Sequence, residues 1–168
     1  KLLCSEVPSE YQQVEYLESL PNQGHYIDTG YIPNTTTRIE LYGQYTERLD
    51  SAQGIPANHR SAFGSGANTQ GFYFGVADQN LWTPIQGDLN YHKFFIDFVA
   101  WTYGFDDNIY NKTPATYTPV NPFWVFCRYG NTTGTNKVNF KCYNLKFFES
   151  GTLVHNYIPC YRKTDNKP

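Results

Sequence analysis

Apolar and polar residues alternate with a period of two along most of this chain, and no stretch keeps the helical period for a useful length. The clearest case spans 138–161, VNFKCYNLKFFESGTLVHNYIPCY. It reads as two strands around a tight turn at Glu149-Ser150-Gly151-Thr152, with Gly where a positive φ is needed. In the second strand Leu153, His155 and Tyr157 are expected on one face and Val154, Asn156 and Ile158 on the other. Pro159 ends it, because proline has no N–H for the ladder. The segment 36–46 alternates most cleanly. Thr37, Ile39, Leu41, Gly43 and Tyr45 fall on one face, and Arg38, Glu40, Tyr42 and Gln44 on the other. One polar face predicts a sheet covered on one side only.

Shorter runs predict strands at 13–18, 25–29, 61–66, 70–76 (Phe72, Phe74 and Val76 inward), from Leu81-Trp82, and at 92–105, 116–120 and 123–129. The run 92–105 is apolar on both faces, so it is expected to be central or to present a contact surface. The run 123–129, FWVFCRY, is apolar throughout, as for a strand covered on both faces. Segment 47–60 reads as a polar loop with at most one helical turn, and 104–108 as a turn. Roughly ten to thirteen short strands at regular spacing indicate an all-β antiparallel sandwich. Residues 1–10 read as a lead-in and 11–168 as one domain.

Composition agrees with the strand pattern. The 168 residues are 18% aromatic, with fifteen Tyr and twelve Phe, and aromatic residues favour strands. The net charge of −2 comes from scattered single charges, so neither nucleic acid nor a membrane surface is an expected partner, and no run is long enough for a membrane span. The chain holds no Met, so the sequence reads as a mature or excised piece of a longer product. Cys4, Cys127, Cys142 and Cys160 are too few for a disulfide-built scaffold and lack metal-ligand spacing. Cys127 and Cys142 flank the 130–137 loop and are candidates to face each other across a hairpin; two buried free thiols are the alternative. Asn34, Asn111 and Asn131 sit in Asn-X-Thr sequons, a short pattern that also arises by chance in Asn/Thr-rich loops.

Several segments together carry a family resemblance: YQQVEYLES at 11–19, HYIDTG at 25–30, NTTTRIE at 34–40, LKFFESGTLV at 145–154 and YIPCYR at 157–162. The set resembles the LamG-like jelly-roll domains of the concanavalin A-like lectin/glucanase superfamily, in the form found in gut-bacterial surface proteins and their phages. It spans 11–167, dense at both ends and loose between 47 and 121. The resemblance implies a two-sheet, concanavalin A-like jelly roll located outside the cell, at a cell surface or on a virion. Such relatives continue beyond residues 165–168 into a further strand, so an edge strand is expected to be missing here or supplied by another copy.

The same resemblance brings glucanase chemistry into question. A retaining glycosidase needs two carboxylates about 5–5.5 Å apart, and the glucanase branch supplies them from alternate positions of one strand. This chain has no such triplet; Glu15 and Glu18 fall on opposite faces, and Asp106-Asp107 are adjacent in a turn. None of His25, His59, His92 and His155 lies in a nucleophile-elbow context. His155 reads as half-buried and hydrogen-bonded, and His92 as a cleft residue or a surface imidazole. Non-catalytic glycan binding is therefore the expected function. Sugars need an aromatic platform beside carboxylate or amide partners. Candidate platforms are Trp82, Tyr91, Trp101 and Tyr103, and candidate partners are Asp88, Asn90, Asp106 and Asn108. For each ring, core or sheet-face packing is the alternative role. No cofactor is required, although Asp106 and Asp107 offer oxygen ligands for calcium on a turn, with a solvated acidic turn as the other account. The competing function is a structural module of a bacterial surface protein or phage virion, working through protein contacts or self-association.

Overall fold

The computed structural model describes residues 7–19, 26–47, 61–65, 71–77, 79–126 and 139–165. Among these residues it holds fourteen strands and no helix. In chain order they are β1 (Tyr11–Gln13), β2 (Leu17–Glu18), β3 (Ile27–Asp28), β4 (Thr37–Tyr45), β5 (Ser61–Ser65), β6 (Gly71–Val76) and β7 (Gln79–Gln86). They continue as β8 (Tyr91–Asp97), β9 (Thr102–Phe105), β10 (Asn108–Asn111), β11 (Trp124–Val125), β12 (Phe140–Glu149), β13 (Thr152–Tyr157) and β14 (Cys160–Arg162). The main sheet runs β10-β9-β8-β4-β12-β13, with β2 also on β12. A second sheet is β5-β6-β7, and β1–β14 and β3–β11 form two-stranded ladders. Every pairing is antiparallel.

The alternation read in β4 sets the inner face. Leu41 lies between Phe94 and Leu145, and Ile39 between Ile96 and Phe147, all of them buried. All six residues of β6 are buried, and this strand brings the second sheet over that face. The Phe72 ring lies 4.9 Å from both Phe94 and Phe105, and Phe74 lies 5.1 Å from Tyr103. Most of these contacts are edge-to-face or tilted, the arrangement that ring quadrupoles favour. Each buried ring contributes roughly 1.5–3 kcal/mol by leaving water. On the opposite face Arg38 pairs with Glu40 and Asp97, and its guanidinium lies 4.8 Å from the centre of the Phe95 ring.

The terminal hairpin forms as expected. Ser150 and Gly151 both take positive φ, the two-residue turn whose twist matches the flanking strands. Its faces differ from the simple alternation. The register shifts between Phe147 and Phe148, so Leu153 pairs with Phe148 while His155 pairs with Phe147. Consecutive strand residues face opposite ways, so Leu153 and His155 do as well. The run 92–105 is two strands rather than one. Asp97 Oδ1 accepts the N–H groups of Val99 and Ala100, and Trp101 takes φ +53, turning the chain inside an apolar stretch. The run 13–18 breaks between β1 and β2, and 116–120 forms no strand. In 123–129 only Trp124 and Val125 pair before Phe126 takes φ +75. Pro84 lies within β7, an edge strand, where a missing N–H is tolerated. Cys4, His25, His59, Cys127, Asn131, the loop at 48–60 and the 130–137 loop lie outside the described residues.

Gly43 is required by its neighbour. A Cβ there would lie 1.9 Å from the Phe140 ring and 2.5 Å from the Lys141 carbonyl oxygen. Gly43→Ala is expected to cost about 1–3 kcal/mol, read as a lower urea midpoint at unchanged m-value. An unchanged midpoint would show that Phe140 yields without cost.

Candidate functional site

Asp88, Asn90 and Asp106 meet at one end of β8, and the residue that gathers them is His92. His92 shares the inward register of Phe94 and Ile96 and is only 8% exposed, which corrects the surface placement. Its Nδ1 lies 2.5 Å from Asp106 Oδ2 and its Nε2 lies 2.8 Å from Asp88 Oδ1. The rings of Phe72, Phe94 and Phe105 surround it at 5.1–5.7 Å. Asp106 Oδ1 accepts the Lys93 N–H, and Asp88 Oδ1 also accepts the Asn90 N–H. One imidazole thus fastens two loops to the sheet. With both ring nitrogens engaged, it has none left to take a proton from a substrate. Among the described residues no group of three His, Cys, Asp or Glu side chains is arranged to hold a metal.

The other candidates do not join this cluster in one surface. Tyr91 is half exposed on the outer face, edge-on to Tyr143. Asn108 starts β10 opposite Phe105. Asp107 is exposed in the turn. Trp101 sits beyond the far end of β8 and packs edge-on against Phe98 and Tyr117. Tyr103 is buried between Phe74 and Tyr110. Trp82 belongs to the other sheet, against Tyr73. His155 is exposed rather than half-buried, stacked beside Tyr157 and edge-on to Tyr31.

A recess of about 470 Å³ opens between the β3–β11 ladder and the end of the main sheet. Leu17, Val125, Cys142 and Leu145 form its floor. Tyr157, Ile158, Pro159 and Cys160 form one wall, and Tyr26, Ile27, Asp28 and Thr29 the other. The Tyr26 ring is 43% exposed and stacks on Trp124 at 4.0 Å with planes 12° apart. Trp124 stands directly across the ladder from Asp28. The walls are locked together: Tyr157 Oη donates to the Thr29 carbonyl at 2.9 Å, and Thr29 Oγ1 donates to the Phe123 carbonyl at 2.7 Å. Asp28 Oδ1 accepts the Gly30 N–H, which orients the carboxylate. Cys142 and Cys160 are free thiols, and burial pushes Cys142 up to about 12.

Sequence reasoning missed this recess. Tyr26 and Asp28 entered it only as part of a family-like segment, and Trp124 lay hidden in an apolar run. No family model, curated protein or solved structure matches the chain. Among the described residues no helix is long and apolar enough to cross a membrane.

The His92 clasp has a signed pH dependence. Burial alone lowers the imidazole pKa, but the hydrogen bonds and charges of Asp106 and Asp88 outweigh it, and the net shift is upward. Burial raises Asp88, but the Asn90 N–H and His92 outweigh that, and the net shift is downward. The His92 contribution is therefore complete below the ordinary value of 6.5 and lost as pH rises through the raised folded value. That of Asp88 is complete above 3.8 and lost as pH falls through its lowered folded value. The urea-midpoint advantage of the native chain over His92→Gln is expected to peak between about pH 4 and 6.5. A difference that stays flat from pH 4 to 9 would show that the clasp carries no charge.

Proposed function

We propose that this chain is a non-catalytic carbohydrate-binding module of the LamG-like jelly-roll kind, acting at a cell or virion surface. The observation that carries the reading is the exposed Tyr26 ring, backed by Trp124 and set beside the Asp28 carboxylate at the rim of an open recess. Backing on one side fixes the ring, so its free face is presented with little entropy left to lose on binding. A sugar lays its C–H face on such a ring and turns its hydroxyl rim to a carboxylate acceptor. The recess volume falls within the usual range for small-ligand sites, about 300–1,000 Å³. Among the described residues Asp28 is the single carboxylate lining it. Hydrolysis needs a pair, so the lining favours holding a sugar over cutting it. Trp82, Trp101 and Tyr103 act in packing under this reading, and Tyr91 stands apart from the recess.

In a glycan-array screen followed by calorimetry, Tyr26→Ala is expected to weaken binding about tenfold or more, about 1.4 kcal/mol. Trp82→Ala and Trp101→Ala, where folded, are expected to leave it within about twofold, less than about 0.5 kcal/mol. Unaltered affinity in Tyr26→Ala would remove the recess as the site. No glycan binding by the native chain, with a defined oligomer in solution, would favour the structural-module reading instead.

A further inference from the structure

The outer face of the main sheet carries its own aromatic row, on the opposite side of β12 from the recess. Alternation along β12 turns Cys142 and Leu145 inward, and Lys141 and Lys146 outward. Tyr16, Tyr143 and Tyr91 meet on that outer side, with ring centres 5.3 Å and 5.1 Å apart. The row therefore crosses the strands, from beside β2 over β12 and β4 to β8. Tyr91 ends it half exposed. Gln44, opposite Tyr91, donates to the Leu89 carbonyl and brings that exposed residue to the border of the row.

Two ammonium groups lie on the tyrosines of this face. Lys141 Nζ is 4.5 Å from the centre of the Tyr16 ring, and Lys146 Nζ is 5.1 Å from that of Tyr42. Each lysine stands opposite a glutamate, Lys141 opposite Glu18 and Lys146 opposite Glu40. Glu40 is engaged at both oxygens: Oε1 accepts Arg38 Nε, and Oε2 accepts Tyr42 Oη. Arg38 also holds Asp97. Asp88 and Asp106, at this end of β8, are turned to His92. Lys93 joins the face opposite Tyr42. An ammonium held on a ring face by the quadrupole keeps N–H groups to donate outward.

We infer that this face is a second binding surface, for an acidic polysaccharide. One sugar ring lies on Tyr91, and carboxylates along the sugar chain meet Lys93, Lys141 and Lys146. A nucleic acid fits less well. The net charge of −2 opposes a polymer charged at every unit. The rings of the row are tilted by 50° and 86°, so they offer no parallel stack to bases. An acidic peptide supplies the charge but no rigid C–H face for Tyr91. The inference does not rest on the recess.

The test is calorimetric titration of the whole chain with an oligogalacturonate and with its fully methyl-esterified form. The acid form is expected to bind about tenfold tighter at low salt, as three surface ion pairs allow. That advantage is expected to shrink at about 1 M salt. Lys141→Gln and Lys146→Gln are each expected to weaken the acid form about two- to fivefold and spare the ester. Tyr91→Ala is expected to weaken both forms about fivefold, and Tyr26→Ala to change neither. Equal affinity for acid and ester, or no binding of the acid, would overturn the inference. Loss of acid binding in Tyr26→Ala, with both lysine variants unaltered, would overturn the second surface and move the acid to the recess. Polyglutamate or oligothymidylate bound as tightly as the oligogalacturonate would overturn the choice of a sugar. A recess that binds no glycan, with oligogalacturonate binding intact, would sink only the reading of the recess.

Discussion

Phe72 is the contact on which the rest of the structure depends. Its ring meets Tyr45, His92, Phe94 and Phe105, so one side chain of the smaller sheet touches three strands of the larger one, β4, β8 and β9. Removing a buried ring of this kind typically costs about 3–5 kcal/mol. That is comparable with much of the 5–15 kcal/mol by which a domain is stable. Close packing also makes the inner face intolerant of added volume, as the Phe140 ring over Gly43 illustrates.

The same aromatic network reaches both sites. In one direction it runs from Phe72 to His92, where the imidazole passes from ring packing to hydrogen bonds with Asp88 and Asp106. In the other it runs from Phe63 through Phe123 and Phe147 to Tyr157, which forms one wall of the recess. The recess is therefore shaped by the core and does not depend on loop conformation alone. Rigid support of this kind is what a site needs if its ring and carboxylate are to be held ready for a ligand.

The fold class was legible because β4 and the terminal hairpin alternate without ambiguity, and the burial along β4 follows that alternation residue by residue. The strand ends were less legible. The turn after Asp97 uses no glycine or proline; Trp101 takes its positive φ, so an apolar run concealed a reversal. The bulge opposite Phe147 has no marker residue either. At the site level, Asp88 and Asp106 drew notice as acids, but the imidazole that joins them was signalled only by its shared register with Phe94. The Tyr26–Trp124 stack joins residues nearly a hundred positions apart through a two-residue ladder, too short for periodicity to reveal.

Pro84 in the outermost strand of the smaller sheet has a bearing on how these molecules behave when crowded together. An uncovered strand margin invites a neighbour to dock by main-chain pairing, the first step toward fibrous growth. Pro84 has no N–H to offer a docking strand, and its ring adds bulk to this edge strand. A chain so rich in tyrosine and phenylalanine thereby carries a brake on such growth along one of its borders.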